Sequence, residues 1–221
     1  MLRASTSRSL IGLAWLNVFV HVTALVLAAI GMRPGTPLVP LSERLSYLAG
    51  RPAGWTLGWV IWMGCAMALV AFLAALTHRL GEDARLAQLG LMIAVAGAAF
   101  DLMCDSVYIV VLPMLASRWP ESEVVFLTVE RVTGIGSLVI ANGAYSISVF
   151  LFARALHDRP GLTRFTTGVG YAVAGFGLLL ATAGFTGIAW HAEWATPPVI
   201  GLFCLWVVFV AHSIEPARNA S

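Results

Sequence analysis

The residues Phe100-Asp-Leu-Met-Cys-Asp-Ser-Val-Tyr108 place two carboxylates inside an apolar run that extends from Leu89 to Leu115. A run of this length predicts a transmembrane helix, because about 20 apolar residues at 1.5 Å per residue cross the hydrocarbon core of a bilayer. In a helix, spacings of four and three bring Asp101, Asp105 and Tyr108 onto one face. An ionised carboxylate at the bilayer centre costs at least ~2.5–3.5 kcal/mol, so we expect this face to point into a helical bundle.

The composition of the whole chain is that of a membrane protein. Of its 221 residues, 59% are hydrophobic and 11% are charged, and the mean hydropathy is +0.87. Soluble domains carry about 25% charged residues. A net charge of +2 with short loops predicts no nucleic-acid partner. All 13 basic residues are arginine, which excludes a retinal Schiff base or a lysine-based covalent mechanism in this chain.

We predict an all-α fold, a single transmembrane domain over residues 1–221 with six membrane-spanning helices. These helices are expected at about residues 10–31, 55–76, 89–115, 121–153, 165–188 and 199–214. Leu41, Leu45 and Leu48 predict an additional short helix at the membrane interface. The residues from Trp190 to Pro198 are predicted to form a loop before the last helix.

A row of small residues on the fifth helix predicts close helix packing. Its members recur at alternating spacings of four and three residues: Gly170, Ala174, Gly177, Ala181 and Gly184. Small side chains let neighbouring helices approach closely, which favours their association in lipid.

The distribution of arginines predicts that both termini lie in the cytoplasm of a multi-pass protein in a bacterial inner (plasma) membrane. The cytoplasmic side would hold eight arginines and the outer side five: Arg3, Arg8, Arg79, Arg85, Arg154, Arg159, Arg164 and Arg218, against Arg33, Arg44, Arg51, Arg118 and Arg131. Four tryptophans would then form a belt at the outer boundary: Trp55, Trp119, Trp190 and Trp194.

Polar residues on three helices are predicted to line one cavity that opens toward the outer leaflet. The candidate catalytic residues are Asp101, Asp105, Glu130 and His21, and the candidate ligand-binding residues are Tyr108, Asn17, Arg131, Ser137 and Asn142. An aspartate in a dry pocket suits proton donation to an apolar substrate, and a histidine or glutamate could accept the proton.

Three functions remain open at this point. The cavity could bind a lipid-like, isoprenoid or small apolar molecule, with or without isomerase- or cyclase-type acid–base chemistry. The same carboxylates could serve a proton-coupled carrier, for which the Gly134-Ile-Gly136 interruption is a hint. They could also form a structural network in a subunit of a membrane complex, with Asp105 paired to Arg131 and Asp101 to His21 or Tyr108. The sequence decides neither whether the protein is an enzyme nor whether it forms a homo-oligomer.

We predict no metal and no cofactor. The five histidines provide no pair at matching depth for a haem, and the three cysteines form no Cys-x-x-Cys motif. The predicted partners are membrane lipids.

Three stretches of the chain resemble a functionally uncharacterised family of six-helix bacterial integral membrane proteins. They are the opening Arg8 to Leu27, the charged loop Leu80-Gly-Glu-Asp-Ala-Arg-Leu-Ala-Gln-Leu-Gly90, and Arg154-Ala-Leu-His-Asp-Arg-Pro-Gly-Leu162. The resemblance implies the six-helix architecture and carries no reaction and no functional residue.

Overall fold

The computed structural model describes residues 2–81, 84–159, 161–186 and 189–214, with side chains from Leu10 onward except at 183, 186 and 189–192. These residues form eight α-helices: α1 (Leu2–Leu27), α2 (Leu41–Ala49), α3 (Ala53–Leu80), α4 (Arg85–Ala116), α5 (Glu123–Gly134), α6 (Asn142–Leu156), α7 (Arg164–Thr186) and α8 (Ala189–Ser213). A π-helical turn, Ala28–Met32, extends α1 and leads into the 3₁₀ turn Arg33–Gly35. A second, Ile135–Ala141, joins α5 to α6.

Six helical segments in the described part of the chain are long and apolar enough to cross a membrane. They are Leu10–Gly35, Ala53–Leu80, Arg85–Ala116, Glu123–Leu156, Arg164–Thr182 and Glu193–Ser213. The prediction of an all-helical, multi-pass membrane protein is therefore confirmed.

The spanning helices form a closed ring in chain order. The neighbouring pairs are α1 and α3, α3 and α4, α4 and α6, α6 and α7, α7 and α8, and α8 and α1. At one end of the ring, large side chains such as Phe72, Phe152 and Trp206 fill the interior. The ring is therefore sealed at the end where α3 finishes and α4 begins.

The other end carries α2, and we call it the α2 end. The predicted short helix is confirmed, and its Leu45 and Leu48 are buried in a second apolar cluster with Trp55. Helix α2 connects the end of α1 to the start of α3 and packs against α4. It therefore lies across this end of the bundle.

Two predictions near the α2 end are wrong. The connection predicted as a loop from Trp190 to Pro198 belongs to α8, which begins at Ala189 and contains Pro197 and Pro198. Transmembrane helices tolerate internal prolines because neighbouring groups satisfy the freed carbonyls. Trp55 is only 1% exposed and lies in the protein interior, so it is not part of a lipid-facing belt.

The small residues of α7 pack as predicted. A Cβ added to Gly170 would come within 2.9 Å of the Cβ of Ala153 on α6 and within 2.7 Å of the Trp206 indole nitrogen on α8. A Cβ at Gly184 would meet the side chain of Val139 at 2.6 Å. The row of small residues therefore lets α7 approach both of its neighbours.

A candidate binding cavity inside the bundle

A cavity of about 660 Å³ lies between the two apolar clusters and extends toward the α2 end. Most of its wall is apolar. Its ionisable and amide-bearing lining residues are His21, Arg33, Cys65, Asp101, Asp105, Tyr108, Glu130, Arg131, Asn142, Tyr145 and Glu193. Eight of the nine residues predicted for the site lie on this wall: His21, Asp101, Asp105, Tyr108, Glu130, Arg131, Ser137 and Asn142.

Helix α4 supplies the central carboxylates. Asp101 lies near the middle of this 32-residue helix, and Asp105 and Tyr108 follow on the same face. Gly97, one turn earlier, has no room for a side chain, since an added Cβ would lie 2.9 Å from the Cβ of Ala144 on α6. The close contact of α4 with α6 thus closes the wall beneath Asp101.

Asp101 is held by two hydroxyl groups from the segment that follows α5. Ser137 Oγ donates to Asp101 Oδ1 at 2.9 Å, and Tyr145 OH donates to Oδ2 at 3.2 Å. Ser137 lies in the second π-helical turn, where Gly136 allows close approach: an added Cβ would come within 2.6 Å of Cys104 Sγ. Such turns occur often at functional sites. Ser137 was predicted from the sequence as a site residue, whereas Tyr145 was not.

Asp105 is 1% exposed, and its Oδ2 atom is buried without a hydrogen-bond partner. A buried polar atom without a partner costs about 1–3 kcal/mol. Asp105 Oδ2 is one of seven buried side-chain atoms without a partner among the described residues, and the only carboxylate oxygen of the seven. Because Asp105 lines the cavity, its Oδ2 atom is available to accept a hydrogen bond from a bound molecule or to pair with a bound cation.

Glu130 is neutralised by Arg44, a residue for which the sequence predicted an outer-side position but no role in the site. Arg44 Nη1 of α2 donates to both carboxylate oxygens of Glu130, at 2.9 and 3.1 Å. The side chains are 7% and 13% exposed, and the guanidinium also lies 5.8 Å from the centroid of the Phe126 ring. This ion pair fastens α2 to α5.

The pairings expected for a structural network are wrong in the described part of the chain. Arg131 donates to the carbonyl of Phe185 at 3.0 Å and forms no ion pair with Asp105. Asp101 is bound by the hydroxyls of Ser137 and Tyr145, so neither His21 nor Tyr108 is its partner.

His21 lines the cavity and is held within its own helix. Its Nδ1 donates to the carbonyl of Asn17 at 2.8 Å, so Nε2 is the free acceptor of the neutral ring. The ring is tilted against Phe203 with centroids 5.0 Å apart.

Asn17 is the one predicted site residue that does not line the cavity. Its amide nitrogen donates to the carbonyls of Leu13, at 2.8 Å, and Ala68, at 2.9 Å. Asn17 therefore joins α1 to α3, and the ligand-binding role predicted for it has no support in this geometry.

Helix α3 contributes an aromatic wall that was not predicted from the sequence. Trp55, Trp59 and Trp62 all line the cavity, and their spacings of four and three residues were a usable signal for one shared face. The Trp59 ring stacks on Tyr108 with centroids 4.1 Å apart and planes 3° apart. Trp55 Nε1 donates to the Tyr108 carbonyl at 2.7 Å, which fixes this wall beside Asp105.

Charged residues mark the part of the cavity nearest the α2 end. Arg33, in the 3₁₀ turn after α1, lies with its Nε atom 3.4 Å from Glu193 Oε1 of α8. The two side chains are 58% and 37% exposed. Since both also line the cavity, we interpret this pair as the rim of the opening.

Comparison with known proteins gives no further guide to the site: no family model, curated protein or solved structure matches the chain. The function must therefore be inferred from the cavity itself. The spanning helices establish a multi-pass membrane protein.

Proposed function

We propose that this membrane protein binds a lipid-like or small apolar molecule in the cavity, with the polar end of that molecule against Asp101 and Asp105. The observation that carries the proposal is a cavity of about 660 Å³ whose largely apolar wall includes two carboxylates free of any ion pair among the described residues. Ligand pockets typically measure ~300–1,000 Å³ and combine apolar walls with a few placed polar groups.

Acid–base chemistry on the bound molecule would fall to Asp101, Asp105 and His21. The Nε2 atom of His21 is left as an acceptor by the hydrogen bond at Nδ1. Glu130 was predicted to share this task, but both of its oxygens accept from Arg44. In the proposal Glu130 therefore holds α2 in place.

The proposed setting is a bacterial inner membrane, with both termini in the cytoplasm and the α2 end at the outer leaflet. The arginine distribution supports this orientation. The rim pair of Arg33 and Glu193 would then lie near the outer surface, where charged side chains reach water.

Native mass spectrometry of the gently solubilised protein tests the proposal. We expect a stoichiometric adduct of lipid-like mass on the wild-type protein. Ala66 is 3% exposed and lines the cavity, so Ala66→Phe should fill the space and remove the adduct. Ala74→Phe is the matched control, because Ala74 lies on the same helix and faces outward.

An adduct that survives Ala66→Phe, or that disappears equally in both variants, would contradict binding in the cavity. Size-exclusion profiles of the two variants establish that each is folded. The mass of a retained adduct would also identify its chemical class.

A proton-coupled carrier is the second candidate, and one observation favours it. The span formed by α5 with α6 is interrupted by the π-helical turn Ile135–Ala141, and this turn lines the cavity. Interrupted helices at a central site are typical of transporters. Purified protein in liposomes should then move protons only when cargo is supplied. If neither protons nor cargo cross the membrane under any condition, this candidate is rejected.

A further inference from the structure

We propose that the ligand of this cavity carries a positive charge: a lipophilic organic cation whose charged group lies against Asp101 and Asp105. This inference rests on the proposed function and specifies the class of ligand. It follows from the balance of charges in the cavity wall, from the unpartnered oxygen of Asp105 and from the aromatic side chains beside it.

The acidic groups of the wall outnumber the cations that could neutralise them. Glu130 is paired with Arg44, and Glu193 with Arg33. The guanidinium of Arg131 donates to a backbone carbonyl. Asp101 and Asp105 consequently have no cationic partner within the residues that the structure describes.

A charge-bearing ligand would complete this site. Asp105 is 1% exposed and its Oδ2 has no hydrogen-bond partner. Asp101 accepts one hydrogen bond at each oxygen, while an ionised carboxylate offers about four lone-pair sites. Both carboxylates can therefore accept further donors when ionised, and in that form they would repel an anionic headgroup.

Aromatic rings stand next to the carboxylates. Tyr108 follows Asp105 by three residues on the same face of α4, and Trp59 stacks on it. Organic cations are attracted to aromatic faces, most strongly to tryptophan, and aromatic cages recognise quaternary ammonium groups. The one cation–π contact found among the described residues is between Arg44 and Phe126, so no described protein cation lies over the rings of Trp59 or Tyr108.

The side chains that line the cavity suit an organic cation better than a metal ion. The described residues contain no group of three or more histidine, cysteine, aspartate or glutamate side chains arranged to hold a metal. Magnesium and calcium take six or more oxygen ligands, whereas the cavity wall is mostly apolar.

Equilibrium dialysis of labelled tetraphenylphosphonium against the full chain in a non-ionic detergent tests the inference. Tetraphenylborate has the same shape and the opposite charge, so it serves as the matched probe without any mutation. With each ion dialysed alone, since the two would pair with each other in a mixture, we expect saturable binding of the phosphonium and none of the borate. Equal binding of the two ions would overturn the inference.

Two variants locate the binding. Asp105→Asn keeps the side-chain shape and removes the charge, and we expect affinity for the phosphonium to fall at least about tenfold, the equivalent of 1.4 kcal/mol. Asp158→Asn is the control. Asp158 lies just beyond the end of α6, where it forms an exposed ion pair with Arg154, and it does not line the cavity. Asp101→Asn provides a second test if Asp105→Asn fails to fold.

The outcomes separate this inference from the proposed function. If an adduct is lost in Ala66→Phe but the phosphonium does not bind, or binds Asp105→Asn and Asp158→Asn equally, the cavity binds a neutral molecule and the inference is wrong. If neither the adduct nor the phosphonium is bound, both proposals fail.

Discussion

Replacing Arg44 with alanine is expected to lower the free energy of unfolding by about 3–5 kcal/mol, the usual effect of removing one member of a buried ion pair. The physical reason is that Glu130, whose side chain is 13% exposed, would be left without its only ion-pair partner among the described residues. Contact of the guanidinium with Phe126 would be lost as well. Unfolding in mixed micelles with increasing dodecyl sulfate measures the change.

The control for Arg44→Ala is Arg154→Ala. Arg154 also forms an ion pair, with Asp158, but the side chains are 52% and 79% exposed, and exposed pairs contribute only about 0–1 kcal/mol. The double variant Arg44→Met with Glu130→Gln should recover most of the lost stability, because no unpaired buried charge remains. Similar losses for Arg44→Ala and Arg154→Ala would contradict the assigned role of the pair.

Replacing Asp105 with leucine is expected to raise the free energy of unfolding by about 1–3 kcal/mol, the cost of a buried polar atom without a partner. The cavity beside Asp105 has room for the larger side chain. The variant should also lose the ligand, because the carboxylate that meets the polar end of the ligand is gone. A group that lowers stability is often retained because binding requires it. The same micelle titration gives the stability, and native mass spectrometry the bound ligand.

Asp101→Leu provides the comparison from the same helix. Asp101 accepts hydrogen bonds from Ser137 and Tyr145, so its removal leaves two hydroxyl groups without an acceptor and should lower stability. Opposite signs for the two variants would show that Asp105 is held for a ligand. A loss of stability in Asp105→Leu as large as that in Asp101→Leu would instead support a structural network.

Helical periodicity was sufficient to predict the α4 face of the site. Asp101, Asp105 and Tyr108 are separated by four and three residues, and the structure places all three on the cavity wall. The same reasoning predicted the short helix α2 from Leu41, Leu45 and Leu48. Both results depend on local spacing along one helix, which the sequence contains directly.

The partners of the acidic residues could not be predicted, because they depend on the order and register of the helices. Arg44 and Glu130 are 86 residues apart in the chain. Counting charges placed Arg44 on the outer side and spacing predicted its short helix, but neither shows that this helix folds back across the bundle end to reach Glu130. Ser137 reaches Asp101 from a π-helical turn, whose extra residue per turn changes which side chains face the cavity.

The errors at Trp55 and at the start of α8 share a cause. Tryptophan and proline were interpreted as markers of a membrane boundary and a helix start, both of which are statistical preferences. In the structure Trp55 is enclosed beneath α2, and Pro197 and Pro198 lie within a helix. Tertiary packing decided both positions.

Photolabelling is the most direct test of whether the cavity holds an apolar molecule. A long-chain alcohol carrying a diazirine would be added to the protein in lipid nanodiscs, irradiated, and the labelled residues of α4 mapped by peptide mass spectrometry. If an apolar molecule enters the cavity, we expect label on the cavity face, at Asp105 and Tyr108, and its loss in Ala66→Phe. Label confined to Met103 and Val110, which are 57% and 63% exposed on the outer face of the same helix, would contradict it.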